Sequence, residues 1–168
     1  DLDNDDDQDL VVISIYSAVL VFRNDGSGRF ALAQVTPIRG VAYSVVASDY
    51  NEDGLLDLFV CGYSDVPGAI GESGDTMPEP YYDANNGWPN VLFENHGNLQ
   101  FRDVTTRVGL DVNNRRYSYA ASWEDFDNDG DQDLYVANDF GRNNLYRNDS
   151  GAFVDIAAEA GVEDIASG

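Results

Sequence analysis

Apolar residues in this chain come in short runs. LVVISIY (10–16), LFVCGY (58–63) and LYVAN (134–138) each follow a polar stretch dense in aspartate. A second apolar run ending in asparagine comes next: VLVFRN (19–24), VLFEN (91–95) and NLYRN (144–148). A glycine-bearing turn then leads to Phe30, Phe101 or Phe153, and on to QVTPIRG, DVTTRVGL or DIAAEAGV. YSVVAS (43–48) and YSYAASWE (117–124) run into the next aspartate-rich stretch. Short β-branched and aromatic segments between turn signals read as strands. NDGSGRF and NDSGAF read as hairpin turns. The Ala and Glu of DIAAEAGV fit a short helical turn.

The same order of segments recurs, so the chain is a repeat. Asp1 and Asp49 open equivalent stretches with a period of 48 residues. The next opening, Asp125, comes 76 residues later. Most of the excess lies in an insertion over about 62–89, which holds four of the five prolines. A smaller insertion lies near DVNNRR (111–116). The repeat units are 1–48, 49–124 and 125–168. About four strands in about 48 residues is the period of a β-propeller blade. The expected fold is all-β, with about three four-stranded blades of a larger propeller. Strands sandwiched between blades are covered on both faces, which accounts for apolar runs that do not alternate. The first unit lacks its leading strand, so further blades or other chains are expected to complete the ring.

Charge sharpens this picture. The net charge is −22, there is no lysine, and 15 of the 31 acidic residues fall in 1–9, 49–57 and 125–133. Such a surface repels nucleic acid and anionic membranes. No apolar run is long enough to span a bilayer. The single cysteine, Cys61, reads as a small buried hydrophobe. The chain opens on Asp1 and carries no signal peptide, which reads as a processed product or a fragment.

Like charge packed into one turn calls for a cation. Carboxylates at alternate loop positions converge when the loop curls, and Ca²⁺ takes six to eight oxygens at about 2.3–2.6 Å. Positions 1, 3, 5 and 9 are Asp1, Asp3, Asp5 and Asp9 in loop 1, and Asp49, Asn51, Asp53 and Asp57 in loop 2. Loop 3 has Asp125, Asp127, Asp129 and Asp133. Position 7 is Asp7, Leu55 or Asp131. Leucine ligates only through its carbonyl, so position 7 is assigned as a backbone ligand in all three. Position 6, where a sharp turn asks for positive φ, is Gly54 and Gly130, with Asp6 in loop 1. The EF-hand is rejected because position 12 is Val12, Val60 or Val136 in place of glutamate. Mg²⁺ prefers fewer protein ligands, and zinc prefers His or Cys. Up to three Ca²⁺ sites are expected. Loop 1 is expected to be the weakest or most distorted, with Asp6 for glycine and the α-ammonium of Asp1 beside it.

The motif D-x-[DN]-x-D-G-x-x-D-L ahead of a strand resembles the calcium loops of FG-GAP/VCBS repeats, the blades of integrin-α-type propellers. DFDNDGDQDLYVANDFGRNNLYRNDSGAFVDIAAEAGV (125–162) is especially similar to the ASPIC/UnbV and cartilage-acidic-protein branch. The resemblance covers nearly all the chain outside the insertion. It implies calcium at the loop positions, an extracellular or periplasmic setting, and adhesion or protein or glycan recognition in place of catalysis. Two departures stand out: Asp6 replaces glycine, and the 168 residues hold no separate ASPIC/UnbV terminal domain.

Two other classes stay open: a structural subunit assembling through blade edges, and a hydrolase on a propeller scaffold. The lone histidine, His96, lies in the turn ENHGN and reads as exposed, which argues against nucleophilic triads. Tyr81, Tyr82 and Trp88 in the insertion are candidates for sugar or protein contacts. Arg115 and Arg116 read as solvated or ion-paired.

Overall fold

The computed structural model describes residues 1–14, 18–38, 40–65 and 77–164. Three antiparallel sheets follow one another along the chain. The first holds β1 (Leu10–Ser14), β2 (Ala18–Asn24) and β3 (Phe30–Pro37). The second holds β4 (Gly40–Ser48), β5 (Asp57–Asp65), β6 (Val91–Asn95) and β7 (Phe101–Asp103). The third holds β8 (Ser118–Glu124), β9 (Asp133–Asn138), β10 (Asn144–Asn148) and β11 (Phe153–Asp155). A single helical turn, α1 (Ala157–Ala160), follows and ends at Gly161 with φ 71°. Two sheets are four-stranded blades, and the first has three strands. This is the nearly all-β, blade-type architecture expected from the repeat.

Pairing fixes where the loops lie. Ser48 faces Asp57 and Gly40 faces Asp65 across β4 and β5. Glu124 faces Asp133 and Ser118 faces Asn138 across β8 and β9. The aspartate loops therefore lie at one end of the blades, and the connections that follow Asp65 and Asn138 leave from the other. The insertion expected over about 62–89 leaves its sheet only after Asp65, because β5 stays paired to that point. Residues 66–76 of it lie outside the described residues.

The core sits between the sheets, in two layers. Leu58 and Val60 of β5 pack with Leu2, Val19, Val21 and Val91 against the first sheet. Phe59 and Cys61, the alternate residues of β5, pack with Leu134, Val136, Tyr146 and Phe153 against the third. Both faces of β5 are thus covered, and its apolar run is continuous for that reason. The same explanation fails for β1. Val11 and Ile13 pack inward, whereas Leu10 and Val12 are 43% and 37% exposed. On the first sheet Phe30, Leu32 and Val35 also face solvent, as do Tyr119 and Val154 on the third and Phe126 in the loop between β8 and β9.

Outer strands differ between blades. β3 has eight residues, but β7 and β11 have three each before the chain turns away. Val104, Val108 and Leu110 from the turn after β7 drop into the layer between the second and third sheets. Phe153 N–H donates to Val108 O at 2.8 Å, which fixes β11 against that turn.

Candidate metal centres in three acidic loops

Each loop is wound by its own carboxylates. The position 1 side chain accepts the amides of positions 5 and 6: Asp1 from Asp5 and Asp6, Asp49 from Asp53 and Gly54, Asp125 from Asp129 and Gly130. The position 5 side chain accepts the amide of position 7: Asp5 from Asp7, Asp53 from Leu55, Asp129 from Asp131. Asn51 and Asp127 at position 3 accept the position 5 amide as well. Short side-chain acceptors two to four residues back are what stabilise such tight turns.

Position 6 is left-handed throughout, with φ 72° at Asp6, 86° at Gly54 and 104° at Gly130. Asp6 therefore reproduces the glycine conformation, and loop 1 is not distorted by it. Position 4 is left-handed too, at Asn4, Glu52 and Asn128. The sequence carried a signal for this in the asparagine of loops 1 and 3, since Asn tolerates that region well. Glu52 hid it in loop 2.

Position 9 is different in kind. Asp9 accepts Leu2 N–H and Asn24 N–H at 2.8 and 3.0 Å. Asp57 accepts Tyr50 N–H and Asn95 N–H at 3.4 and 2.7 Å. Asp133 accepts Phe126 N–H and Asn148 N–H at 3.1 and 2.7 Å. Asp57 and Asp133 are buried. Burial pushes the Asp57 carboxyl up to about 7 and raises that of Asp133. A cation beside them would restore the carboxylate form.

Positions 1, 3 and 9 converge. Oxygen atoms of Asp1, Asp3 and Asp9 all lie within 4.8 Å of one another, and so do those of Asp125, Asp127 and Asp133. Loop 2 repeats the loop hydrogen bonds, with the amide oxygen of Asn51 at position 3. The position 5 carboxylates, Asp5, Asp53 and Asp129, each accept the position 7 amide through one oxygen. At position 7, Asp131 accepts the Ser150 amide at 2.7 Å, which ties loop 3 to the β10–β11 turn.

The donor set suits a hard divalent cation. Loop 1 also holds an orphan: the Asp3 side chain is 6% exposed, and its Oδ1 is buried without a hydrogen-bond partner. A buried carboxylate oxygen with no partner is costly unless a cation meets it. Its other oxygen is held by the Arg23 guanidinium at 2.5 Å. Arg23 is a competitor for the same carboxylate that spacing alone did not reveal.

Residues 1–60 and 125–167 match the FG-GAP-like repeat family. The chain belongs to the FG-GAP-like repeat family. The matched stretches contain all three loops, and the unmatched one contains the insertion. No curated protein matches the chain.

The other end of these FG-GAP-like blades is aromatic. Rings touch in a row from Tyr119 to Tyr43 (5.6 Å), Tyr63 (4.5 Å), Phe140 (6.4 Å) and Tyr81 (5.0 Å). Tyr63 O–H donates to Asp139 at 2.6 Å. Tyr43, Tyr81, Tyr82 and Tyr119 are exposed, and Tyr117 is buried at φ 60°, a strained conformation for a bulky residue. Trp88 lies over Gly40, where a Cβ would meet its ring at 2.1 Å. A cleft of about 250 Å³ at this end is lined by Asp103, Asp111, Asn114 and Arg115, among others. Arg115 and Arg116, expected to be solvated or ion-paired, reach the carbonyls of Gly87 and Arg142. His96 sits 3.1 Å from Glu94, which also receives Tyr50 O–H and Arg107.

Proposed function

We propose that this chain is a calcium-binding propeller scaffold, non-enzymatic, that works outside the cytoplasm in adhesion or in recognition of a protein or glycan. The observation that carries the reading is the convergence of positions 1, 3 and 9 in loops 1 and 3, together with the orphaned Asp3 oxygen of loop 1. In each loop Ca²⁺ would be held by the side chains of positions 1, 3, 5 and 9, with the carbonyls of Asp7, Leu55 and Asp131 as further oxygen donors. The ion supplies positive charge that allows the carboxylates to stay ionised and close together. The finer similarity to the ASPIC/UnbV and cartilage-acidic-protein branch, and to VCBS repeats, belongs to the same proposal. The exposed aromatic row at the far end suits ligand contact, since loops on a rigid scaffold carry recognition.

Thermal melting with calcium, magnesium and chelator tests this. Chelator lowers the melting temperature, and magnesium restores it poorly. An unchanged melt in chelator would refute the calcium reading.

Assembly with other chains through blade edges is a second reading, favoured by the exposed apolar side chains Phe30, Leu32 and Val35 on β3, at the edge of the first sheet. Concentration-dependent light scattering decides it. A hydrolase would act in the cleft holding Asp103 and Asp111, but Asp103 already accepts the Thr105 amide and hydroxyl. Loss of glycosidase activity in Asp111→Asn would support that reading, and inert wild-type protein would remove it.

A further inference from the structure

Behind the loops runs a line of hydrogen bonds that ion coordination does not require. Asp9 accepts Leu2 N–H, and Leu2 O accepts the Asn95 side-chain amide at 2.8 Å. Asn95 N–H donates to Asp57, which also accepts Tyr50 N–H. Tyr50 O accepts the Asn148 side-chain amide at 2.9 Å, and Asn148 N–H donates to Asp133. The position 9 carboxylates of three successive loops are therefore joined in one continuous series. Every member after Asp9 is buried.

The two asparagines are fully engaged. Asn95 also donates to Leu56 O and accepts Gly97 N–H. Asn148 also donates to Gln132 O and accepts Gly151 N–H. Each side chain thus grips position 8 of its own loop and position 2 of the preceding loop at once. A buried, satisfied amide of this kind is rigid, and moving one end displaces the other. Asn24 supplies an internal contrast. It donates to Asp9 and Gln8 in its own loop, but among the described residues it reaches no other loop.

Resting on the calcium reading above, we propose that Asn95 and Asn148 are positioning residues that couple neighbouring loops, so that an ion in one tightens binding in the next. An ion in loop 3 fixes Asp133, and Asp133 fixes the Asn148 backbone. The Asn148 side chain then holds Tyr50, whose amide aims Asp57 in loop 2. Order created by the first ion need not be created again for the second, which gives positive coupling. Bare repulsion between two bound cations gives the opposite sign, so the sign is diagnostic.

Calcium titration of the full chain, followed by NMR, reads the loops separately. Gly54 and Gly130 N–H report loops 2 and 3, since each donates to the position 1 aspartate. Asp125→Ala removes a loop 3 ligand that lies outside the series. It is expected to weaken loop 2 about fivefold, a typical coupling strength. In an Asn148→Ala background the same change leaves loop 2 unaltered, whereas in Asn24→Ala the fivefold effect persists. An unchanged Gly54 midpoint in Asp125→Ala overturns the coupling, as does a shift that survives Asn148→Ala. Should Asn148→Ala not fold, hydrogen exchange in the Asp125→Ala protein at saturating calcium decides. Faster exchange of the Tyr50 amide supports the coupling, and unchanged exchange overturns it. Wild-type protein without any calcium-dependent shift refutes the calcium reading itself and this inference with it. Two glycines titrating independently refute the coupling alone.

Discussion

Two aspartates of loop 3 separate ligand chemistry from loop architecture. Asp133 is buried and accepts two amides, Phe126 N–H and Asn148 N–H. Asp127 is exposed and accepts one, Asp129 N–H at 3.3 Å. Stranding buried donors costs about 1–3 kcal/mol each, so Asp133→Ala without calcium should cost about 3 kcal/mol. Asp127→Ala without calcium should cost about 0.5 kcal/mol, as for an ordinary surface change. Calcium adds an increment common to both. With a Kd of about 10⁻⁴ M and about 1 mM Ca²⁺, one site contributes about 1.4 kcal/mol. The expected totals in calcium are then about 4.4 and about 1.9 kcal/mol. Urea unfolding of both variants in calcium and in chelator, at matched ionic strength, measures these values provided the slope m is unchanged. An Asp127→Ala cost that is identical in the two buffers would show that position 3 of this loop shapes a turn and binds no ion.

Three further outcomes follow from single sites. Arg23→Gln frees Asp3 from its ion pair and should tighten calcium in loop 1 about fivefold, the effect of removing one nearby positive charge at the surface; a calorimetric titration that shows no change argues against a role for Asp3 in binding. Gly62→Ala puts a Cβ 2.3 Å from the Pro89 carbonyl oxygen and should cost about 3 kcal/mol in urea unfolding. It should leave calcium affinity alone, because the clash is at the far end of the blade. Burial pushes the Cys61 thiol up to about 12, so a thiol reagent at pH 8 should label the chain only after denaturant is added; rapid labelling of folded protein contradicts the packing of β5.

Period and turn chemistry carried most of the fold. Runs such as LFVCGY marked strands, and NDGSGRF and NDSGAF marked hairpins that close through Asp25 N–H to Arg29 O and Asp149 N–H to Ala152 O. The limits came where tertiary context decided. LVVISIY and LFVCGY look alike, yet among the described residues only β5 is packed by a sheet on each face, while Leu10 and Val12 of β1 are exposed. Position 9 looked like one ligand among equals, whereas its two backbone donors come from pairing that spacing does not encode. The asparagines at 24, 95 and 148 were visible as landmarks of the repeat, but the reach of Asn95 and Asn148 into a preceding loop depends on how blades stack. Arg23 at loop 1 was likewise invisible, since the pair joins the end of one strand to a loop 20 residues earlier.

Direct titration of Ca²⁺ into the chelated protein by isothermal calorimetry, with Mg²⁺ in parallel, bears most closely on the function proposed for these loops. Three ions bound per chain at about 10⁻⁴–10⁻³ M, with Mg²⁺ far weaker, is the expected result; no binding heat at about 10 mM Ca²⁺, or equal binding of Mg²⁺, would contradict it.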